Sequence, residues 1–588
     1  MPLAIVHRVS IVDPRTHLVE VETTLTGAPD EVVLFMPVWT PGSYLVREYA
    51  RHVEGLAAEA PARARKIRKN AWSVEARGAE RVVVRYRVYA AELTVRTSHV
   101  DDTHAFLVGA ALFLGVEGHL SAPARVRLEA PAGWRVATSL PLVDGTYEAR
   151  DFDTLVDSPI ELGLHREESF SVLGTTHRYS IWPADGVTDR NVADLVRDTT
   201  TILEHEARLF GGAFPYDRYE LLLHLSSRAR GGLEHRASAA LVASPSAFAT
   251  REGYLDLLSL VAHEVLHAWN VKRIRPAGLV PYDYQHECYT RQLWWFEGAT
   301  SYYDWRLLNL AQICTVDEYL EHLAAEIAYL DATPGRLVHA LEETSFDAWI
   351  KLYRPDENSP NSTVSYYRKG ELVCALLDLE LRARTGGRAS LDTVLGYLWR
   401  EYGAAERPVP EGALQEIFEQ ATGASIGDRF DAWVRSSAEV DAGPTLALVG
   451  LEIERKTRTD AAPCSLGVRV RSEGGRAIVA STTRDSCAAR AGIDPGDELV
   501  GIAGARVEGA NVEPLLRTRA AGDVVDVLVA RDGRLLTRKA TLDPARPDKV
   551  KLVPQRDATP EARAAFEAWL GRPHPKWAAR AEDEGSPA

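Results

Sequence analysis

Apolar and polar positions alternate with period two in the first third of the chain. Such runs recur at Leu18–Leu25, Glu31–Met36, Arg81–Val88 and Ala124–Leu128, separated by Gly, Pro and Asp clusters. This is the pattern of strands joined by turns. No long helical period interrupts it, so a β-sandwich-like domain is expected over residues 1–175. From 176 to 440 the period changes. Ala193–Phe210, Leu255–Asn270, Thr290–Leu310, Val316–Leu330, Tyr366–Thr385, Leu391–Tyr402 and Leu414–Ala421 carry apolar residues at helical spacing, with a β-like run at Tyr219–Leu225. That predicts an α+β domain dominated by helices. Ser437–Pro444 reads as a linker, and β patterning returns over 447–545, where Val524–Ala530 and Leu535–Leu542 flank Asp532-Gly533, a hairpin signal. Residues 546–588 are charged and Pro-rich and are expected to form a tail with one helix at Pro560–Leu570. The expected fold class is multidomain: β-rich, then mostly helical α+β, then β with short helices.

Composition narrows the function classes. The 588 residues are 46% hydrophobic and 26% charged, which is globular and too long for one core. The net charge is -15, and no Lys/Arg block offers the basic face a nucleic-acid partner needs. No apolar run approaches the roughly 20 residues of a membrane-crossing helix. The N-terminus, MPLAIVHRVSIVD, lacks a basic start, an apolar segment and a cleavage site, so a cytoplasmic location is expected. Five scattered cysteines (Cys288, Cys314, Cys374, Cys464, Cys487) with no CxxC spacing read as reduced, buried thiols rather than a disulfide framework.

The chemistry concentrates in His263-Glu264-Val265-Leu266-His267. Positions four apart on a helix share one face, so both imidazoles can point at one ion. Zinc suits two neutral imidazoles and a carboxylate with a fourth position open. Glu264 lies about 100° around the helix, close enough to act as general base on bound water without being a ligand. Two core histidines and a surface Glu would spell the same letters, so a third ligand matters. Glu297, in LWWFEGATSYY, is an acid in an apolar helical run, where desolvation is costly unless the carboxylate is paired or metal-bound. It is preferred over Glu287 on that ground. Asn270, Ser301 and Asp304 are candidates to orient the imidazoles through their other ring nitrogen.

Two further stretches invite a role. Gly231-Gly232-Leu233-Glu234-His235 resembles a Gly-rich strand edge that a substrate backbone can approach closely, with Glu234 placed to hold an ammonium group. Ser365-Tyr366-Tyr367-Arg368-Lys369-Gly370 opens an apolar helix, and a tyrosine hydroxyl there could stabilise a developing oxyanion.

Together these segments resemble a known family. HEVLHAWNVKRIRP (His263–Pro276) and WWFEGATSYYD (Trp294–Asp304), 29 residues apart between His267 and Glu297, are similar to the metal-binding helices of the glycyl aminopeptidase family, PDZ-containing metallopeptidases distantly similar to the aminopeptidase N family. The spacing is longer than in that second family. GGLEH resembles the Gly-x-Met-Glu-Asn motif of aminopeptidase N, with Leu233 for Met and His235 for Asn. YYRKG resembles the block that carries its transition-state tyrosine, which falls on Tyr367. MPVWTPGSYLVREYARHV (Met36–Val53) resembles the N-terminal domain signature, and SCAARAGIDPGDELVGIAG (Ser486–Gly504), with CSLGVRV (Cys464–Val470) as carboxylate loop, resembles a bacterial PDZ domain. The resemblance implies a thermolysin-like catalytic domain and one Zn2+ per chain on His263, His267 and Glu297. It implies Glu264 as base, Tyr367 on the oxyanion, and Gly231, Gly232 and Glu234 at the substrate's amine. Substrates would be peptides with a free N-terminus, small residues (Gly or Ala) first, and a peptide C-terminus could occupy the PDZ domain. A zinc endopeptidase, or a PDZ scaffold with a dead peptidase site, are the alternatives.

Overall fold

The computed structural model describes residues 3–458 and 460–575; the end of the expected tail, 576–588, lies outside the described residues. The chain divides into two compact units. The first comprises 1–290, 303–314 and 395–414; the second comprises 291–302, 315–394 and 415–588.

The first unit is built on sheets. The alternating runs of the N-terminal region form a seven-stranded sheet in the order Leu142–Val143, Thr146–Ala149, Ala124–Glu129, Ala4–Ser10, Leu18–Thr26, Arg81–Tyr89, Val53–Ala58. A four-stranded and a five-stranded sheet accompany it. The inward side of each alternation supplies one apolar core, in which Val19, Leu25, Leu34, Val84 and Phe106 are fully buried. A further five-stranded sheet has the order Arg166–Val172, Thr175–Trp182, Arg218–Leu225, Ser238–Ala243, Gly231–Glu234. Its three central strands are parallel and its edge strands antiparallel. The hairpin Arg166–Val172/Thr175–Trp182 straddles the boundary expected at 175. Period-two patterning continues through it, so the sequence offers no break where this sheet begins.

Two helices pack with this sheet. Asp189–Leu209 is opened by a Thr188/Asn191 capping box, and Arg251–Leu266 by the Thr250 side chain accepting from Gly253 N–H; each cap satisfies an otherwise unpaired first-turn donor.

In the second unit, Tyr366–Thr385 is buried along most of its length, with Ser365 as N-cap and Gly386 in the left-handed region as C-cap. The helix expected over Thr290–Leu310 is interrupted: Leu293–Phe296 ends at Glu297, and Gly298–Leu310 follows. Gly298 lies so close to Gly370 that a Cβ there would sit 2.6 Å from Gly370 Cα. Leu391–Leu398, which runs on into the first unit, gives way to a π-helical turn at Trp399–Gly403. The C-terminal sheet, Val468–Glu473, Arg476–Thr482, Glu498–Ile502, Val524–Arg531 and Arg534–Thr541, encloses its own core. Asp532 and Gly533 turn its last hairpin at φ +50 and +74, the left-handed pair that an Asp-Gly hairpin uses. Asn361 holds this region at two points, donating to Thr482 O (2.9 Å) and accepting from Arg484 N–H (2.8 Å).

The tail carries the expected helix at Pro560–Leu570 and, beyond that expectation, a paired strand. Lys549–Pro554 pairs with Leu451–Lys456, and helix Pro560–Leu570 buries Phe566, Trp569 and Leu570. Trp569 Nε1 donates to the Tyr302 hydroxyl at 2.9 Å. Charged composition concealed this, because only a few scattered apolar residues, Leu552, Ala558, Phe566, Trp569 and Leu570, are buried there. All five cysteines are buried. Among the described residues no helix is long and apolar enough to cross a membrane.

Glu206, on the buried face of Asp189–Leu209, has neither carboxylate oxygen hydrogen-bonded. Burial pushes its carboxyl well above the usual carboxylate range. The folded state therefore holds a proton that the unfolded state releases, so this group's contribution to stability falls as pH rises above the ordinary value of 4.5. Replacing Glu206 with Gln removes the titration. The difference in melting temperature between variant and parent should move in the variant's favour from pH 5 to pH 8; a difference independent of pH would refute the assignment.

Candidate functional site

In the first unit the site is assembled where helix Arg251–Leu266 meets the strand Gly231–Glu234. That strand is the edge of its sheet, paired on one side only, Gly232 to Leu241 and Glu234 to Ala239. Gly231 has φ +134, a backbone geometry that glycine tolerates best. Gly232 has a different reason to be glycine: a Cβ there would overlap the Glu264 carboxylate. The two structural requirements explain the Gly-Gly pair and place the Glu264 side chain directly over the edge strand.

His263 is partly exposed and His267 buried. Their rings lie 4.7 Å apart, nearly perpendicular. Helix Arg251–Leu266 stops one residue before His267, which caps it with helical φ and ψ. The chain then folds back, so His267 Nδ1 meets the main-chain oxygen of Asn270 at 2.8 Å. His263 Nδ1 meets Asp304 Oδ2 at 3.1 Å. Of the three orienting candidates, Asp304 acts through its carboxylate and Asn270 through its backbone, a contact that side-chain chemistry does not announce. With both Nδ1 atoms engaged, the Nε2 atoms are the ones presented for coordination, the usual arrangement of metal-binding histidines. Tyr219, whose hydroxyl donates to Glu264 O at 3.3 Å, is held far above its ordinary pKa by burial and by the Glu264 charge.

Glu234 is buried beside this pair. Ligand-type atoms of Glu234, Glu264 and His267 all lie within 4.8 Å of one another. The surroundings of Glu234 come largely from residues that sequence reasoning passed over. Gly42, at φ +89, lies against it, and a Cβ there would sit 2.6 Å from both carboxylate oxygens. Asp157 is the anchor: it accepts from Lys272 Nζ (2.8 Å) and Arg236 N–H (2.7 Å) and pairs with His235 Nδ1 (3.2 Å). Burial opposes the Lys272 charge, but Asp157 and Glu234 outweigh it and raise its pKa above the ordinary lysine value. Arg96 donates to Gly232 O at 3.3 Å. The only hint of this framework in the sequence was the basic run Lys272–Arg273 directly after the histidine helix.

In the second unit, Glu297 is 1% exposed, whereas Glu287 in the first is exposed. Tyr367 is partly buried on the first turn of Tyr366–Thr385, with its hydroxyl 2.9 Å from that of Tyr353. Burial, followed by the Glu297 charge, raises the Tyr367 pKa well above its ordinary value. Its hydroxyl is therefore a hydrogen-bond donor across the physiological range. Tyr353 is a further residue that sequence reasoning did not single out.

Comparisons with known proteins agree along the chain. Residues 7–164 match the M61 peptidase N-terminal domain, 256–373 the M61 glycyl aminopeptidase, and 464–542 the PDZ domain. An aminopeptidase N family protein from Idiomarina loihiensis superposes with a TM-score of 0.90 at 29% identity, covering 96% of this chain and 100% of the other. An M1 zinc metallopeptidase from Deinococcus radiodurans superposes with a TM-score of 0.45 at 17% identity, over 75% of this chain and 95% of its own. A Mesorhizobium japonicum protein named as a zinc metalloprotease is 45% identical over 65 residues, 11% of this chain and 17% of that protein's length.

The packing of Gly232 against Glu264 makes a prediction independent of any activity. Gly232→Ala should destabilise the chain by about 1–3 kcal/mol, the usual cost of overpacking. In a Glu264→Ala background the same change should cost much less. Equal losses in both backgrounds, measured by denaturant unfolding, would show that the carboxylate is not the obstacle.

Proposed function

We propose that this chain, which belongs to the glycyl aminopeptidase family and is a zinc metallopeptidase, removes single residues from the N-termini of peptides at a site made by His263, His267 and Glu297. The donor set fits zinc: two imidazoles whose Nδ1 atoms are already engaged and a buried carboxylate, leaving a coordination position open. The bound ion would acidify a water molecule and polarise the scissile carbonyl.

The protein's own groups then divide the work. Glu264 takes the proton of the attacking water and passes it to the leaving amine. Tyr367 donates its hydroxyl hydrogen bond to the oxygen on which charge develops, a role favoured by its raised pKa. Glu234 holds the substrate's ammonium group. One observation carries the exopeptidase reading: Glu234 shares a space within 4.8 Å with Glu264 and His267. The α-nitrogen and carbonyl carbon of one residue are only about 2.5 Å apart, so an amine held by Glu234 brings the first peptide bond, and no later one, to the base. The close approach of Gly42 to Glu234 leaves little room beside that amine, which supports a preference for Gly or Ala at the N-terminus. The PDZ domain's proposed part is to take a peptide C-terminus as an added strand.

Glu264→Gln should retain about one zinc per chain by elemental analysis while turnover drops about 100- to 10,000-fold, the usual worth of a general base; normal turnover would end the mechanism. Glu234→Ala should lower kcat/KM on peptides with free N-termini and leave metal content unchanged. If the parent cleaves N-acetylated peptides as fast as free ones, the chain is an endopeptidase and the anchor role falls.

A further inference from the structure

The second unit contains a cavity of about 380 Å³, within the roughly 300–1,000 Å³ typical of small-molecule sites. Its apolar lining is formed by Ile327, Leu330 and Leu372, and the connector 438–442 that leads into the C-terminal region also lines it. Three cations, Arg336, Lys369 and Arg455, and three carboxylates, Asp331, Glu439 and Asp441, line it. Two of the cations are already answered. Arg336 donates to Glu439 at 2.6 Å and Arg455 to Asp331 at 2.7 Å. Lys369 is different. It is 1% exposed, and its Nζ has no hydrogen-bond partner. The charge that bears on it is Arg336, of the same sign, and burial pushes its pKa down to about 8.

A buried ammonium without a counter-charge is costly, and such a group beside a cavity of ligand size has the chemistry of a half-made ion pair. Inorganic anions would satisfy the ammonium but leave the apolar lining wet. A neutral apolar molecule would do the reverse. We infer that this cavity binds a small organic carboxylate with an apolar body, its carboxylate set against Lys369 and its hydrocarbon part against Ile327, Leu330 and Leu372. Lys369 follows Tyr367 by two residues on one helix, and the connector also lines the cavity, so an occupant would touch both that helix and the segment leading into the C-terminal region. None of the residues given a role in the proposed hydrolysis lines this cavity, and the inference does not depend on those roles.

N-acetylleucine is a suitable probe, because it has the carboxylate and the branched apolar chain but no free amine for Glu234 to hold. Titrated calorimetrically into the zinc-loaded full chain, it should bind, and Lys369→Met should weaken it about tenfold or more, as expected for a lost charge-assisted bond. The same variant should keep turnover on peptides near the parent's. It should also melt no lower than the parent without ligand, since it removes an unpaired buried charge. Crystals of the parent soaked in the probe should show its carboxylate at hydrogen-bond distance from Lys369 Nζ. N-acetylleucinamide binding as tightly as the acid, inorganic phosphate binding as tightly, unchanged affinity in Lys369→Met, or density elsewhere would each overturn the inference.

Discussion

The arrangement of the first unit depends on one close approach, that of Glu264 to Gly232. A helix can lay a carboxylate directly over a strand only if the strand lacks a side chain at that point and has no neighbouring strand beyond it. Both conditions are met: Gly232 has no Cβ to displace the carboxylate, and Gly231–Glu234 is the edge of its sheet. The same contact fixes the rotation of helix Arg251–Leu266 about its axis. That rotation decides where His263 and His267 point. The proposed base, the two proposed histidine ligands and the edge that would meet a substrate backbone are thus consequences of one packing constraint.

A second layer of contacts holds this arrangement rigid. Asp304 and the Asn270 carbonyl orient the imidazoles. Asp157 ties Lys272, which follows the histidine helix, to His235 and Arg236, which follow Glu234. It does so through three charged or polar contacts made by one mostly buried carboxylate, which Lys272 and His235 hold below its ordinary pKa against the opposing effect of burial. Precise placement is what a hydrolytic site needs, because misplacement of reacting groups by about 1 Å can cost two orders of magnitude. The turns of the N-terminal region contribute directly to this layer through Arg96, Gly42 and Asp157, so that region does more than support the sheet.

The second unit shows the same economy in its use of glycine. The close packing at Gly298 and Gly370 seats the segment carrying Glu297 against the helix that carries Tyr367. The C-terminal segment closes this unit through Trp569, Tyr302 and Asp378 in a chain of hydrogen bonds. Asn361, by donating and accepting at the end of strand Arg476–Thr482, holds the PDZ-matching region on the helices.

Strands, helices and the Asp532-Gly533 hairpin were legible in the sequence because each depends on local periodicity or on the backbone preference of one or two residues. The His263–His267 pair was legible for the same reason: four residues of helix place two rings on one face whatever surrounds them. Glu297 stood out because an acid in an apolar run needs a partner. What the sequence could not specify are contacts between residues far apart along it: Gly42 against Glu234, Asp157 on Lys272, the return of Lys549–Pro554 to Leu451–Lys456, and the unpaired Lys369 ammonium in its cavity. These depend on which surfaces meet when the core closes. Local pattern determined which residues have the chemistry, and tertiary packing decided which of them are neighbours, because distance through space is fixed only by the fold.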